Sequence, residues 1–126
     1  MAIKILIVDD NTAVRSAIRS CLDGNPQLEV CGEASNGRAA VDVANRLHPD
    51  VVILDVSMPV MNGLEAAREL VALSPRPEIV LFTAYDGEVL QEDLQALGIK
   101  IVVSKNDKHM VEQLRESVLR SSGYPC

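Results

Sequence analysis

Short apolar runs alternate with amphipathic stretches along the whole chain. The runs at 3–8 and 51–54 are rich in β-branched residues, which is typical of buried parallel strands. Three more strands are predicted at 28–34, 78–82 and 99–103, and a helix with one apolar face follows each of the five. Strict alternation of strands and helices predicts an α/β protein, with a parallel sheet covered by helices on both faces.

Size and charge limit what such a chain can be. The 126 residues are 48% hydrophobic and 24% charged, so the sequence predicts one globular domain over 1–121 and a short tail over 122–126. The formal net charge of −6 argues against direct nucleic acid binding by this domain. An acidic chain suits a hard cation or a basic partner surface better.

The three cysteines, Cys21, Cys31 and Cys126, are odd in number and show no paired metal-site spacing. A disulfide framework or a zinc site is therefore not predicted, and a reducing, cytoplasmic location is expected. The N-terminus has no signal-peptide pattern, and no apolar run reaches the length of a membrane span.

Acidic residues stand where two of the predicted strands end. Asp9 and Asp10 follow the first strand, and Asp55 follows the third. In an open α/β sheet, ligands bind beyond the carboxyl ends of the strands. Two carboxylates 4 Å apart repel by about 4 kcal/mol at an effective dielectric near 20, so a cation, a proton or a nearby base must offset them. The three acids therefore predict a functional cluster.

Two further strand ends carry polar residues on the same side, at Thr83 and at Ser104-Lys105. Each residue alone has an ordinary explanation: an aspartate as a turn residue, Thr83 as a β-branched strand residue, Lys105 as a solvated loop charge. Their shared position, rather than their type, favours a functional interpretation.

Five short stretches carry a resemblance to a known family. They are Val8-Asp9-Asp10, Leu54-Asp55-Val56-Ser57-Met58-Pro59, Met61-Asn62-Gly63, Thr83-Ala84 and Ser104-Lys105. Because these five stretches occur in this order, the chain resembles the receiver domain of bacterial two-component response regulators. Residues 33–37 and 49–52 are most similar to receivers of the helix-turn-helix regulator subfamily. The resemblance implies a flavodoxin-like, doubly wound, three-layer α/β/α fold, with five parallel strands in the order 2-1-3-4-5 and five helices.

The resemblance implies a Mg²⁺ site. Asp10 would bind the ion directly, and Asp9 would bind it directly or through water. Asp55 and the backbone carbonyl of Ser57 would complete the protein ligands. Mg²⁺ favours such sparse oxygen sites, which water and phosphate complete.

It also implies that Asp55 accepts a phosphoryl group from a sensor histidine kinase or a phosphotransfer protein. Lys105 would neutralise one phosphoryl oxygen and Thr83 would donate its hydroxyl to another. Ala84 would leave room for the group. Gly63 is expected to adopt backbone angles that a side chain would disfavour.

Two positions depart from the family pattern, Val102 and Asn106, and an aromatic residue, Tyr85, lies just after Thr83-Ala84. Val102 stands where many receivers carry an aromatic residue, so the usual aromatic switch is not expected. Tyr85 has two interpretations, either a ring that limits water access to phosphorylated Asp55 or an exposed loop residue. Asn106 replaces the proline that often follows the lysine, so a trans peptide bond held by hydrogen bonds is predicted after Lys105.

The predicted function is a conformational signalling switch. The domain is expected to promote its own phosphorylation and the slow hydrolysis of its aspartyl phosphate, and otherwise not to be an enzyme. The alternative is a receiver-like interaction module that works without phosphorylation. An aspartyl phosphatase would need a second acid where Ser57 stands, and a flavin protein would need aromatic residues, of which there are 2%. The sequence does not decide whether the effector is a separate downstream protein or a missing output domain, or whether the domain forms a homodimer. No membrane association is expected.

Overall fold

The computed structural model describes residues 2–56, 58, 61–84 and 91–121. Their five strands form one parallel sheet in the order β2-β1-β3-β4-β5, as predicted. The strands are β1 Ile3–Val8, β2 Leu28–Ala34, β3 Val51–Leu54, β4 Glu78–Thr83 and β5 Ile101–Ser104. The helices are α1 Thr12–Leu22, α2 Gly37–Leu47, α3 Gly63–Leu70, α4 Gln91–Leu97 and α5 Met110–Ser121.

The sheet lies between two apolar layers, which confirms the predicted α/β/α arrangement. Alternate side chains of β1 point to opposite faces, so Ile5 and Ile7 pack with α1 and α5, whereas Leu6 and Val8 pack with α2, α3 and α4. Both faces of the central strands are therefore buried, which explains their continuous apolar runs. Among the described helices, none combines the length and the apolar character that crossing a lipid bilayer requires.

Three asparagines begin the helices that follow β1, β2 and β3. The Asn11 side chain accepts hydrogen bonds from two N–H groups in the first turn of α1, and the Asn36 side chain accepts one from the Ala39 N–H in α2. Asn62 forms a reciprocal pair of hydrogen bonds with Glu65 at the start of α3. Each cap stabilises its helix by about 1 kcal/mol. The caps define where the chain turns back at the carboxyl edge of the sheet.

The predicted start of the last strand is wrong by two residues. The backbone N–H of Ile99 donates to the Leu94 carbonyl at 2.9 Å, and Gly98 has a φ of 72°. This left-handed turn satisfies the last carbonyls of α4, so residues 98–99 belong to the helix end rather than to β5. Residues 85–90, between β4 and α4, lie outside the described part of the chain.

The reason given above for Gly63 is also wrong, because its φ is not in the left-handed region. A Cβ at Gly63 would instead lie 2.7 Å from Val56 Cα and 2.9 Å from the Asp55 carbonyl carbon. The start of α3 thus packs directly on the backbone that carries Asp55. The Gly63 N–H donates to the Val56 carbonyl at 2.8 Å. Close approach, rather than an unusual angle, requires glycine here.

Edge strand β2 contains an irregularity. Ile5 pairs with Val30 and the next residue, Leu6, pairs with Gly32, which leaves Cys31 as an extra residue in β2. Cys31 is half-buried, and burial raises the pKa of its thiol. The thiol therefore stays protonated and weakly reactive at neutral pH.

Candidate functional site

Three carboxylates meet at the carboxyl edge of the sheet. β1 and β3 are neighbours with Val8 opposite Leu54, so Asp9 and Asp55 leave the sheet side by side. One carboxylate oxygen from each of Asp9, Asp10 and Asp55 lies within 4.8 Å of the others. Asp9 and Asp55 are 1% and 5% exposed, whereas Asp10 is exposed. Two members of the cluster therefore depend on nearby groups, rather than on water, to offset their charge.

Lys105 supplies a positive charge to this cluster. Its Nζ donates to Asp9 Oδ2 at 2.5 Å and lies 3.4 Å from Asp55 Oδ2. The ammonium also lies 5.5 Å from the centre of the Phe82 ring, whose face attracts a cation. Three carboxylates against one ammonium leave two formal negative charges at the site.

The two acids after β1 differ in what binds them. Asp9 Oδ1 accepts from the Asn11 N–H at 2.9 Å, and Oδ2 accepts from Lys105, so each oxygen of Asp9 accepts one hydrogen bond and keeps a lone pair for a cation. Asp10 is exposed, and one of its carboxylate oxygens lies within 4.8 Å of oxygens of Asp9 and Asp55. Carboxylate oxygens with an excess negative charge are the donor set that Mg²⁺ prefers, so these residues fit that ion. The fourth predicted ligand, Ser57, lies outside the described residues.

Thr83 closes β4, the strand beside β3, and is 1% exposed. Its carbonyl accepts from the Lys105 N–H at 2.7 Å, which joins the ends of β4 and β5. Next to it, the Ala84 carbonyl accepts from the Asn106 side chain at 2.6 Å. The Lys105–Asn106 peptide is trans and held by hydrogen bonds, as predicted. The loop that carries Lys105 is therefore tied to the segment that carries Thr83.

Arg15, which the sequence analysis did not single out, contacts the cluster and is linked through Glu33 to Arg19. Arg15 Nη1 donates to the Asp9 carbonyl at 2.6 Å, and its Nε donates to Glu33 Oε1 at 3.0 Å. Arg19, one turn further along α1, donates to Glu33 Oε2 at 2.6 and 2.9 Å. The i,i+4 spacing of the arginines is visible in the sequence, but only the fold brings Glu33 between them.

The hydrogen bond from Arg19 lowers the pKa of Glu33, and Arg15 acts in the same direction. A lowered folded-state pKa stabilises the fold above the unfolded pKa, and this contribution is lost as the pH falls through the folded value. We expect the melting-temperature gap between wild type and Glu33→Gln to be full above about pH 4.3 and to close below it. Thermal melts across pH 2.5–7 measure this gap. Glu29→Gln, at an exposed position of β2, is the control; an equal gap there would contradict the prediction.

Val102, at the position of the usual aromatic switch, and Tyr85, a candidate for limiting water access, have different outcomes. Val102 lies opposite Leu81 in β4 and is 38% exposed, so no helix of the described residues covers it fully. Tyr85 lies outside the described residues, and both of its interpretations stay predictions.

Comparison with known proteins identifies relatives of this chain. The chain is 41% identical over 123 residues to a protein-glutamate methylesterase/protein-glutamine glutaminase of Methanosarcina acetivorans, an alignment that covers 89% of this chain and 35% of the relative. A similar enzyme of Vibrio parahaemolyticus is 42% identical over 97 residues, covering 77% of this chain and 26% of the relative. The chain therefore spans between about a quarter and a third of the curated relatives it matches.

Solved structures show the same fold. The receiver domain of the response regulator AraT from Geobacillus stearothermophilus is 31% identical, covers 98% of this chain and 95% of its own, and has a TM-score of 0.84. The response regulator domain of Thermotoga maritima CheB has a TM-score of 0.87 at 24% identity, with both chains fully covered. A family model for the response regulator receiver domain matches residues 5–118. The chain belongs to the response regulator receiver domain family.

Proposed function

We propose that this receiver accepts a phosphoryl group on Asp55 from the phosphohistidine of a sensor kinase or phosphotransfer protein. Asp9, Asp10, Asp55 and the Ser57 carbonyl would hold Mg²⁺. The observation that carries the proposal is the Lys105 ammonium, which lies between two buried carboxylates while a third is exposed. A structural ion pair needs only one carboxylate for the Lys105 ammonium. A phosphoryl-transfer site needs further carboxylates, one to accept the group and others to hold Mg²⁺.

The transfer requires a deprotonated Asp55. Its oxygen attacks phosphorus as the phosphorus–nitrogen bond to histidine breaks, and the imidazole leaves with the electron pair and takes up a proton from water. Lys105, 3.4 Å from Asp55 Oδ2, is close enough to bind an oxygen of the incoming group. Thr83 donates its hydroxyl to another. Mg²⁺, when bound, neutralises charge on the transferring group.

The phosphorylated domain acts as a switch for an effector that lies outside the described residues, on a partner or on a longer chain. We take 1–121 as the receiver unit and 122–126 as its tail. The free Cys21 and Cys31 suit a reducing compartment, so we place the exchange in the cytoplasm. The domain would hydrolyse its own aspartyl phosphate slowly.

Labelling with a small acyl phosphate tests the proposal. The intact mass of the protein should increase by one phosphoryl group in the presence of Mg²⁺, and peptide mapping should place the label on Asp55. Chelation of the metal should lower the rate by at least about 100-fold, because the charge on the transferring group is then poorly offset. An unlabelled protein at saturating Mg²⁺ would rule out the proposed function.

A second candidate is an interaction module that signals without phosphorylation, and the exposed Val102 favours it because no ring occupies that position. The two candidates differ in metal binding. An interaction module that works without phosphorylation has no need of Mg²⁺. A calorimetric titration that shows no Mg²⁺ binding would therefore support this second candidate.

A further inference from the structure

We infer that Arg15 is a positioning residue that sets the affinity of the site for Mg²⁺ by holding the peptide between Asp9 and Asp10. This inference rests on the proposed function, because it concerns the same metal site. Arg15 itself does not supply a ligand, since a guanidinium has no acceptor atom.

The side chain of Arg15 reaches the site from α1. Its Nη1 donates to the Asp9 carbonyl at 2.6 Å, a short, charge-assisted hydrogen bond. That carbonyl belongs to the peptide joining Asp9 to Asp10, so its direction helps to set the place of both Cα atoms. On the other side of Asp9, its N–H donates to the Ala34 carbonyl at 3.1 Å. The backbone is thus held on both sides of Asp9.

Glu33 holds the guanidinium in this orientation. Glu33 Oε1 accepts from Arg15 Nε at 3.0 Å, while Oε2 is occupied by Arg19. Arg15 Nη2 also donates to Thr12 Oγ1 at 3.2 Å. Three separate nitrogens are therefore engaged, and the side chain is only 15% exposed. A planar guanidinium used in this way has one orientation.

The need for such a support follows from the exposure of Asp10. The Asp10 carboxylate is exposed, so its position depends on the backbone that carries it. Groups that orient metal ligands without binding the metal typically change affinity by about 10- to 100-fold when removed. Arg19 shares Glu33 with Arg15, but the guanidinium of Arg19 donates to Glu33 and not to Asp9. Substitutions of Arg15 and Arg19 therefore distinguish the effect of the contact with Asp9 from the effect of a salt bridge with Glu33.

The test compares Arg15→Met with Arg19→Met by calorimetric titration with Mg²⁺. We expect Arg15→Met to weaken binding by about tenfold, because the Asp9–Asp10 peptide loses its support. Arg19→Met should stay within about twofold of wild type, as expected for the loss of an exposed ion pair. Equal effects of the two substitutions would overturn the inference.

A second variant, Arg15→Lys, separates position from charge. Lysine keeps the charge but has one nitrogen, which cannot bind Asp9 and Glu33 in the geometry of the fork, so binding should remain at least about threefold weaker than in wild type. Wild-type affinity in this variant would assign the effect to charge and overturn the positioning role. The variant also serves if the methionine substitution prevents folding.

Phosphorylation kinetics give a second readout. The Mg²⁺ concentration at half-maximal rate should rise about tenfold in Arg15→Met, while the rate at saturating Mg²⁺ stays within about threefold, because the guanidinium of Arg15 donates to Asp9, Glu33 and Thr12 and so acts on the metal ligands. A fall in the saturated rate alone would contradict the inference. Failure of wild type to bind Mg²⁺ would instead remove the proposed function, so the two failures are distinguishable.

Discussion

Asparagine in place of Asp55 is expected to abolish phosphoryl transfer while leaving the protein folded. The amide has nearly the same shape as the carboxylate but lacks the negative charge and the nucleophilic oxygen. Loss of a nucleophile removes most of the rate, so labelling should fall by at least about 100-fold. Because one charge leaves a crowded cluster, the melting temperature should not fall. Intact-mass labelling with an acyl phosphate and thermal melts measure both effects.

The matched control is Asp42→Asn, the same chemical change at an exposed position of α2. It should be labelled at the wild-type rate. Residual labelling of Asp55→Asn on a different residue would show a second acceptor, and full labelling would contradict the role given to Asp55.

Methionine in place of Lys105 is expected to slow phosphoryl transfer and destabilise the fold together. Methionine retains an apolar stem beside Phe82 but removes the charge between Asp9 and Asp55. Loss of one preorganised donor to developing charge lowers rates by about 10²- to 10³-fold. Two buried carboxylates would then lack their counter-ion, which costs about 3 kcal/mol of unfolding free energy. Single-turnover labelling and urea unfolding measure these changes.

Mg²⁺ should recover part of the lost stability of Lys105→Met, because a divalent cation offsets the same carboxylates. Lys108→Met is the control, since Lys108 is an exposed lysine of the same loop. It should leave both the rate and the unfolding free energy close to wild type. Similar losses in the two variants would mean that the cluster does not depend on Lys105.

Much of the architecture could be predicted because the apolar pattern has a clear period. The runs at β1 and β3 are buried on both sides, so their strand character followed from their β-branched composition, and the parallel sheet followed from the alternation of strands with helices. The last strand was harder, because Ile99 is apolar and buried like a strand residue. Its hydrogen bond to Leu94 at the end of α4 depends on the turn at Gly98, and periodicity does not register such a turn.

Part of the candidate site could also be predicted from the sequence, but the prediction missed Arg15 and Glu33. Polar residues at the ends of parallel strands must share one edge, so the meeting of Asp9, Asp55 and Lys105 follows from topology. Arg15 and Glu33 gave no such signal, because a salt bridge between a helix and an edge strand depends on how the helix lies on the sheet. The roles assigned to the site residues stay predictions until the labelling experiments are done.

The extra residue at Cys31 limits how this molecule can associate. A strand from another chain could pair with only part of β2 before the hydrogen-bond ladder was interrupted. At the opposite edge, β5 spans only Ile101–Ser104. Within the described residues neither edge is a long, regular template for strand addition, so high concentrations should not drive sheet-to-sheet aggregation. The helices and the loops at the carboxyl edge, where Asp55 lies, therefore offer a partner more continuous surface than either edge strand does.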